Sequence, residues 1–315
     1  MSHPASRPNP TKIPFDREDI NCLSDNRSSN PHGNAISLLA GLINDTGTMH
    51  CTGVPAPFGH QQPAGSMDNN AQEWYRRGTA LVCVGRYAGA IGCFERALEH
   101  DPRAKEVLVA LAAAVDRLGL FYEAVLCCER ALETDDQYAD AWFVKGLALF
   151  RLSQYRDAAG CFEAIVNKDP SHAEAWFMKG NCHYHLGEIP DAICCYDETL
   201  GIRKKYPKAL YNMAVSLGET GRYEEAIQFY EQCLAMNPGV ATVMTNKAVA
   251  LAHLGRYAEA EEWFRQALEL DPRDTTAWTN LGLTLSRLGR EQEGFACFEK
   301  VRELSGMPTV RDIVR

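Results

Sequence analysis

From residue 71 onward, apolar and polar positions follow a helical period, and the whole pattern returns every 34 residues without an insertion. Seven segments align, beginning at Ala71, Lys105, Ala139, Ala173, Pro207, Ala241 and Thr275, and the last ends at Pro308. Within each, position 4 is large and apolar (Trp74, Leu108, Trp142, Trp176, Leu210, Met244, Trp278). Position 8 is glycine or alanine throughout, from Gly78 to Gly282, and position 20 is likewise small, from Ala90 to Gly294. Position 24 is aromatic in six of the seven, with Cys128 the exception. Positions 4, 8 and 11 fall on one face of a helix by their i, i+4, i+7 spacing, and positions 20, 24 and 27 do the same on a second. Small residues at 8 and 20 predict a close approach of two backbones, with the large residues at 4 and 24 filling the space around it.

The breaks between the stripes agree with this reading. Position 15 is glycine except at Ser153, which predicts a left-handed residue ending each first helix. Asp101-Pro102, Asp169-Pro170, Asn237-Pro238 and Asp271-Pro272 end second helices, because proline cannot continue them. A single helix pair cannot cover its own apolar side, so neighbouring pairs must stack into an array.

These columns resemble the tetratricopeptide repeat, and segments such as AWFMKGNCHYHLGEIPDAICCYDETL match its pattern nearly throughout. The resemblance spans residues 71 to 308 and implies an all-α fold: a right-handed superhelical solenoid of seven antiparallel helix pairs. It further implies first helices lining a concave groove, scaffolding or peptide binding as the usual activity, and no catalysis by the repeats. Two departures stand out. Position 7, commonly leucine, is Arg77, Lys145, Lys179 and Lys247, expected to snorkel past the core to an edge. Repeat four has Lys204 where proline is expected and Pro207 three residues later, which leaves the helix ends around residues 200 to 207 open. The family usually adds a final shielding helix, whereas TVRDIVR is all that follows Pro308. Exposure of Phe295, Phe298 and Val301, and self-association through that end, are the expectation.

Residues 1 to 70 differ in kind. They hold eight of the fifteen prolines and show periodicity only over Ala35 to Ile43. The expectation is a disordered or weakly structured tail. Two alternatives stand beside it: the apolar stretch docks on the array as a small helix, or Met67 is the true start.

Composition narrows the function classes. Hydrophobic residues at 46% and charged residues at 23% belong to a globular chain. The net charge of −9 argues against a broad nucleic-acid footprint, so no nucleic-acid partner is expected. No apolar run approaches the roughly 20 residues that span a bilayer, and the polar, proline-rich start lacks a signal-peptide core. No membrane association and a cytoplasmic location are the expectation.

By resemblance and geometry, the groove is lined by positions 2, 5, 9, 12 and 13. In repeats three to five these read Phe143, Phe150, Phe177, Asn181, Tyr184, His185 and Tyr211, with Asn212 at position 6 beside them. Rings interleaved with amides suit a peptide or partner protein, the rings supplying area and the amides pairing with its backbone. The competing reading packs these aromatics on one another along the stack. Position 13 is basic at Arg117, Arg151, His185, His253 and Arg287. Such a column selects acidic ligands, or is a solvated edge favoured by the helix dipole. The five-residue clamp with which some family members grip a C-terminal carboxylate is incomplete: Asn181 and Asn212 match, Phe177, Thr242 and Asn246 do not.

Cysteine recurs at position 23 (Cys93, Cys127, Cys161, Cys195, Cys297). Neighbouring repeats hold equivalent atoms about 8–10 Å apart, too far for disulfides, so small apolar filler in a reducing compartment is the reading. Cys182, His183 and His185 do not converge on one point, and no metal or other cofactor is expected. No phosphate-cradling loop or nucleophile elbow is present. The sequence therefore describes a non-catalytic interaction scaffold, with an accessory subunit of an enzyme complex as the alternative.

Overall fold

A computed structural model describes residues 67–306, which form fourteen α-helices in seven antiparallel pairs. They are α1 (Asn69–Cys83), α2 (Tyr87–His100), α3 (Lys105–Arg117), α4 (Phe121–Thr134), α5 (Ala139–Arg151), α6 (Tyr155–Lys168) and α7 (Ala173–Leu186). The stack continues with α8 (Ile189–Ile202), α9 (Pro207–Glu219), α10 (Tyr223–Met236), α11 (Ala241–His253), α12 (Tyr257–Leu270), α13 (Thr275–Arg287) and α14 (Glu291–Leu304). The expected tail before the array, with its apolar stretch Ala35–Ile43, and the residues after Pro308 lie outside the described residues. The open ends in repeat four are settled: α8 stops at Ile202 and α9 starts at Pro207, whose ring suits a first helical position.

The small columns do what their size suggests. A Cβ placed on Gly78 would stand 2.4 Å from the Phe94 ring, and on Gly146 2.7 Å from that of Phe162. Gly180 and Gly282 meet Tyr196 and Phe298 in the same way. Position 8 of a first helix therefore receives the position-24 ring of its own partner helix. Repeat two has Ala112 and the smaller Cys128 at these positions, whereas repeats five and six hold Ala214 with Tyr230 and Ala248 with Phe264, all buried.

Each first helix ends in a left-handed residue, φ being 72° at Gly85 and 82° at Gly119. Ser153 takes the same conformation at φ 60°, the one described non-glycine to do so. Its neighbour Gln154 then donates its N–H to the Leu149 carbonyl at 2.9 Å, closing the helix as a Schellman turn does. At the other turns, Asp101, Asp135, Asp169 and Asp271 accept the backbone N–H two residues on, at 2.9–3.3 Å.

Repeats are joined by side chains as well as by apolar packing. The Trp142, Trp176 and Trp278 indoles donate to carbonyls of the preceding turn at 2.8–3.0 Å. Lys145, Lys179 and Lys247 reach glutamates of the preceding second helix (Glu129, Glu163, Glu231) at 2.9, 3.3 and 2.9 Å. Their ammonium groups lie over tryptophan rings at 5.6, 5.3 and 4.0 Å. Lys145 and Lys179 keep to the edge as snorkelling predicts, whereas Lys247 is buried against Trp263, a correction to that expectation. Every helix packs on the next, and second-neighbour packing joins first helices, such as α3 with α5 and α9 with α11. The first helices thus form the tighter, inner layer of the stack. No helix among the described residues is long and apolar enough to cross a membrane.

Candidate functional site

The aromatics expected to face the groove divide into two groups. Phe143, Phe177 and Tyr211 at position 5 are only 2%, 8% and 2% exposed. Phe143 packs edge-on against Phe162 at 5.6 Å, and Phe177 lies against Tyr196 and Tyr206 at 6.0 and 5.1 Å. Position 5 sits between the partner helix and the turn leading to the next repeat, so its ring is enclosed from both sides. For these three the expected orientation is corrected. They form the floor beneath the inner wall, and Tyr211 reaches it only with its hydroxyl.

Above that floor runs a line of polar groups that crosses the repeat junctions. The Asn181 amide oxygen accepts from the Tyr196 hydroxyl at 2.9 Å and from Asn212 Nδ2 at 2.8 Å. Asn246 Nδ2 donates to the Tyr211 hydroxyl at 2.8 Å. The Tyr184 hydroxyl donates to Glu219 Oε1 at 2.7 Å, and burial together with that carboxylate pushes the phenol above its ordinary value. Asn181, Tyr184 and Asn212 are half-buried. Their side chains are ordered before any ligand arrives, which lowers the entropy cost of binding.

The position-13 column is held in place too. Four of its five members lie on the position-17 ring of the preceding repeat: Arg117 over Tyr87 at 5.4 Å, Arg151 over Phe121 at 5.7 Å. His185 stacks on Tyr155 at 4.7 Å with Phe150 edge-on at 5.2 Å, and His253 stacks on Tyr223 at 4.6 Å. Arg151 Nη1 also pairs with the buried Asp116 Oδ2. These four side chains are occupied in joining repeats, a task the column spacing alone did not reveal.

The cysteine column is reduced and largely enclosed, every described cysteine being a free thiol. Burial pushes the Cys161 and Cys195 thiols up to about 11 and Cys182 up to about 12. These groups stay protonated and unreactive near neutrality. Among the described residues one group of metal-ligand type does come together, His183, Glu188 and Asp191, with ligand atoms within 4.8 Å of one another. His183 Nδ1 lies 2.7 Å from Glu188 Oε2, and Arg156 stands 3.6 Å from the same carboxylate. The cluster reads as a hydrogen-bonded turn that already has a cation at hand. At the last repeat, Leu283 and Phe295 are 52% and 53% exposed, while Phe298 and Val301 are half-buried.

Two family models match the chain. The cilia and flagella-associated protein 70 C-terminal domain matches residues 161–302, and anaphase-promoting complex, cyclosome, subunit 3 matches residues 84–165. No curated protein sequence matches. Among solved structures, pilF of Pseudomonas aeruginosa is 18% identical with a TM-score of 0.60, over 67% of this chain and 96% of its own. A tetratricopeptide repeat protein from Parabacteroides merdae is 16% identical with a TM-score of 0.58, over 78% and 96%. YrrB, described as a TPR protein with an unusual peptide-binding site, is 20% identical with a TM-score of 0.53, over 58% and 95%. Recurrent columns, paired helices, both family models and these shared folds agree that the chain is a tetratricopeptide-repeat protein.

Proposed function

We propose that the chain is a non-catalytic scaffold whose array, residues 71–308, takes a peptide or partner-protein segment on the inner wall of repeats three to five. Tetratricopeptide repeats generally act as protein-interaction modules and are usually non-catalytic. The observation that carries the reading is the line Tyr196–Asn181–Asn212, continued by Tyr211–Asn246. Half-buried amides fixed along successive first helices offer donors and acceptors at repeat spacing, which suits the backbone of an extended peptide. Phe150, Tyr184 and His185 supply adjoining ring surface, and Arg117 and Arg151 border it. YrrB, which shares the fold, supports the reading by having a peptide-binding site.

The test is partner capture by the full chain against a Tyr184→Ala, Asn212→Ala variant, both partly exposed positions whose loss spares the core. A folded variant that no longer retains the wild-type partners is expected. Undiminished capture would move the site elsewhere. A second role, self-association through the exposed Leu283 and Phe295, is supported by their position in the last repeat. Sedimentation showing a monomer at every concentration would remove it.

A further inference from the structure

Six of the nine described lysines have internal partners. Lys105, Lys145, Lys179, Lys247 and Lys300 each hold a carboxylate, and Lys168 donates to the Gln137 carbonyl at 2.9 Å. The other described lysines, Lys204, Lys205 and Lys208, have no hydrogen-bond or ion-pair partner among the described residues. All three fall at one place, the turn from repeat four into repeat five.

Two columns change sign there. Position 31 is Asp101, Asp135, Asp169, Asn237 and Asp271 at the other turns, but Arg203 here. Position 2 is Glu106, Asp140 and Glu174 in repeats two to four, but Lys208 in repeat five. The usual aspartate closes the turn by accepting the N–H two residues on, which an arginine cannot do. Arg203 instead reaches back to Glu174 at 2.8 Å and lies over the Tyr206 ring at 5.3 Å. That pairing engages Glu174, and the three lysines have no carboxylate partner among the described residues in a chain of net charge −9. Lys204 and Lys205 are exposed, while Lys208 is half-buried in the first turn of α9, where a cation opposes the helix dipole. Four residues on, and on the same helix face, stands Asn212 of the amide line. Burial also pulls Lys208 below the ordinary lysine value, as expected of a charge that has lost water and gained no partner.

We propose that this junction binds a stretch of acidic side chains in the partner, with Lys208 as the anchor beside the amide line and Lys204 and Lys205 as the outer attraction. The inference rests on the inner-wall reading above and specifies the chemistry of the segment that reads it. A few carboxylates match three lysines, whereas the long run of phosphates on a nucleic acid extends past the junction over a chain of net charge −9.

The test uses the full chain and short fluorescent peptides, acetylated and amidated, identical except for glutamates in one and glutamines in the other. The glutamate peptide is expected to bind about tenfold more tightly at low salt, with the advantage shrinking as salt rises. A Lys204→Glu, Lys205→Glu, Lys208→Glu variant breaks no internal pair and is expected to stay folded and lose that preference. Equal binding of the two peptides, no binding of the glutamate peptide, or a preference that survives the triple variant would overturn the inference. So would tighter binding of a phosphoserine version or a single-stranded oligonucleotide through the same lysines. If Asn212→Ala leaves the glutamate preference intact while the lysine variant removes it, the basic junction stands and the inner-wall reading fails. If Asn212→Ala weakens both peptides and the lysine variant changes nothing, the wall stands and the acidic assignment fails.

Discussion

The imidazole of His185 lies flat on the phenol ring of Tyr155, 4.7 Å between centroids and 10° between planes, with the two residues in different repeats. His253 and Tyr223 repeat the arrangement at 4.6 Å and 1°. A first helix of one repeat is thereby pinned to the second helix of the repeat before it, close to the inner wall.

That pin is sensitive to acid. Desolvation lowers the His185 pKa from its ordinary 6.5, so the unfolded chain holds this proton more readily than the folded one. The stability from this group is therefore present above about 6.5 and is lost as pH falls through the lower folded value. A proton-NMR titration is expected to give a His185 midpoint below 6.5, and His185→Phe to blunt the loss of thermal stability between neutral and mildly acidic pH. A midpoint at or above the ordinary value would contradict the packing.

Gly180→Ala tests the close approach of paired helices. Its Cβ would stand 2.7 Å from Tyr196, a buried ring tied by its hydroxyl to Asn181 and so unable to swing aside. Overpacking costs about 1–3 kcal/mol against a helix-propensity gain of about 1, so a net loss of up to about 2 kcal/mol is expected. Gly160→Ala, with nothing within 4 Å, should instead stabilise. Denaturant unfolding of the two variants side by side decides it, and equal behaviour would refute the interlock.

Ser153→Gly removes the strain at φ 60°. The left-handed conformation costs a residue with a side chain about 1–2 kcal/mol, and the added freedom of glycine in the unfolded chain offsets about half of that. A gain of about 0.5–1 kcal/mol in the same assay is expected. Any loss of stability would show that the serine hydroxyl matters more than the backbone.

Thiol accessibility separates filler from reactive cysteine. A brief alkylating pulse is expected to modify the exposed Cys83 and Cys194 first and to spare Cys161, Cys182 and Cys195 until the chain unfolds. Rapid native-state labelling of Cys182 would reopen a redox role for the column.

The fold was legible because its determinants are local and repeated. Small residues at 8 and 20, rings at 24 and glycine at 15 each carry one geometric duty, and Ser153 kept that duty despite its side chain. The site was legible only in part. On a helix enclosed on two sides, position 5 shares the apolar character of both core and wall, so periodicity could not show that Phe143, Phe177 and Tyr211 are floor. The basic column at position 13 read as possible ligand chemistry because the rings beneath it, at position 17 of the preceding repeat, lie far away in sequence. Of the unpaired lysines, the sequence marked only Lys204, as a departure from the expected proline. Lys204 and Lys205 lie in a turn outside the helical columns, and Lys208 follows at position 2 of α9. The further signal was Arg203 standing where other repeats carry an aspartate or asparagine.

Site-specific photo-cross-linking reads the central claim most directly. A photoreactive residue at Tyr184 or at Asn212 probes the proposed inner wall, and one at Gln228 sits exposed on the second helix α10. Irradiation in the presence of the chain's partners is expected to give adducts from the first two positions and none from Gln228. Adducts from Gln228 alone, or equally from all three, would contradict an inner-wall binding surface.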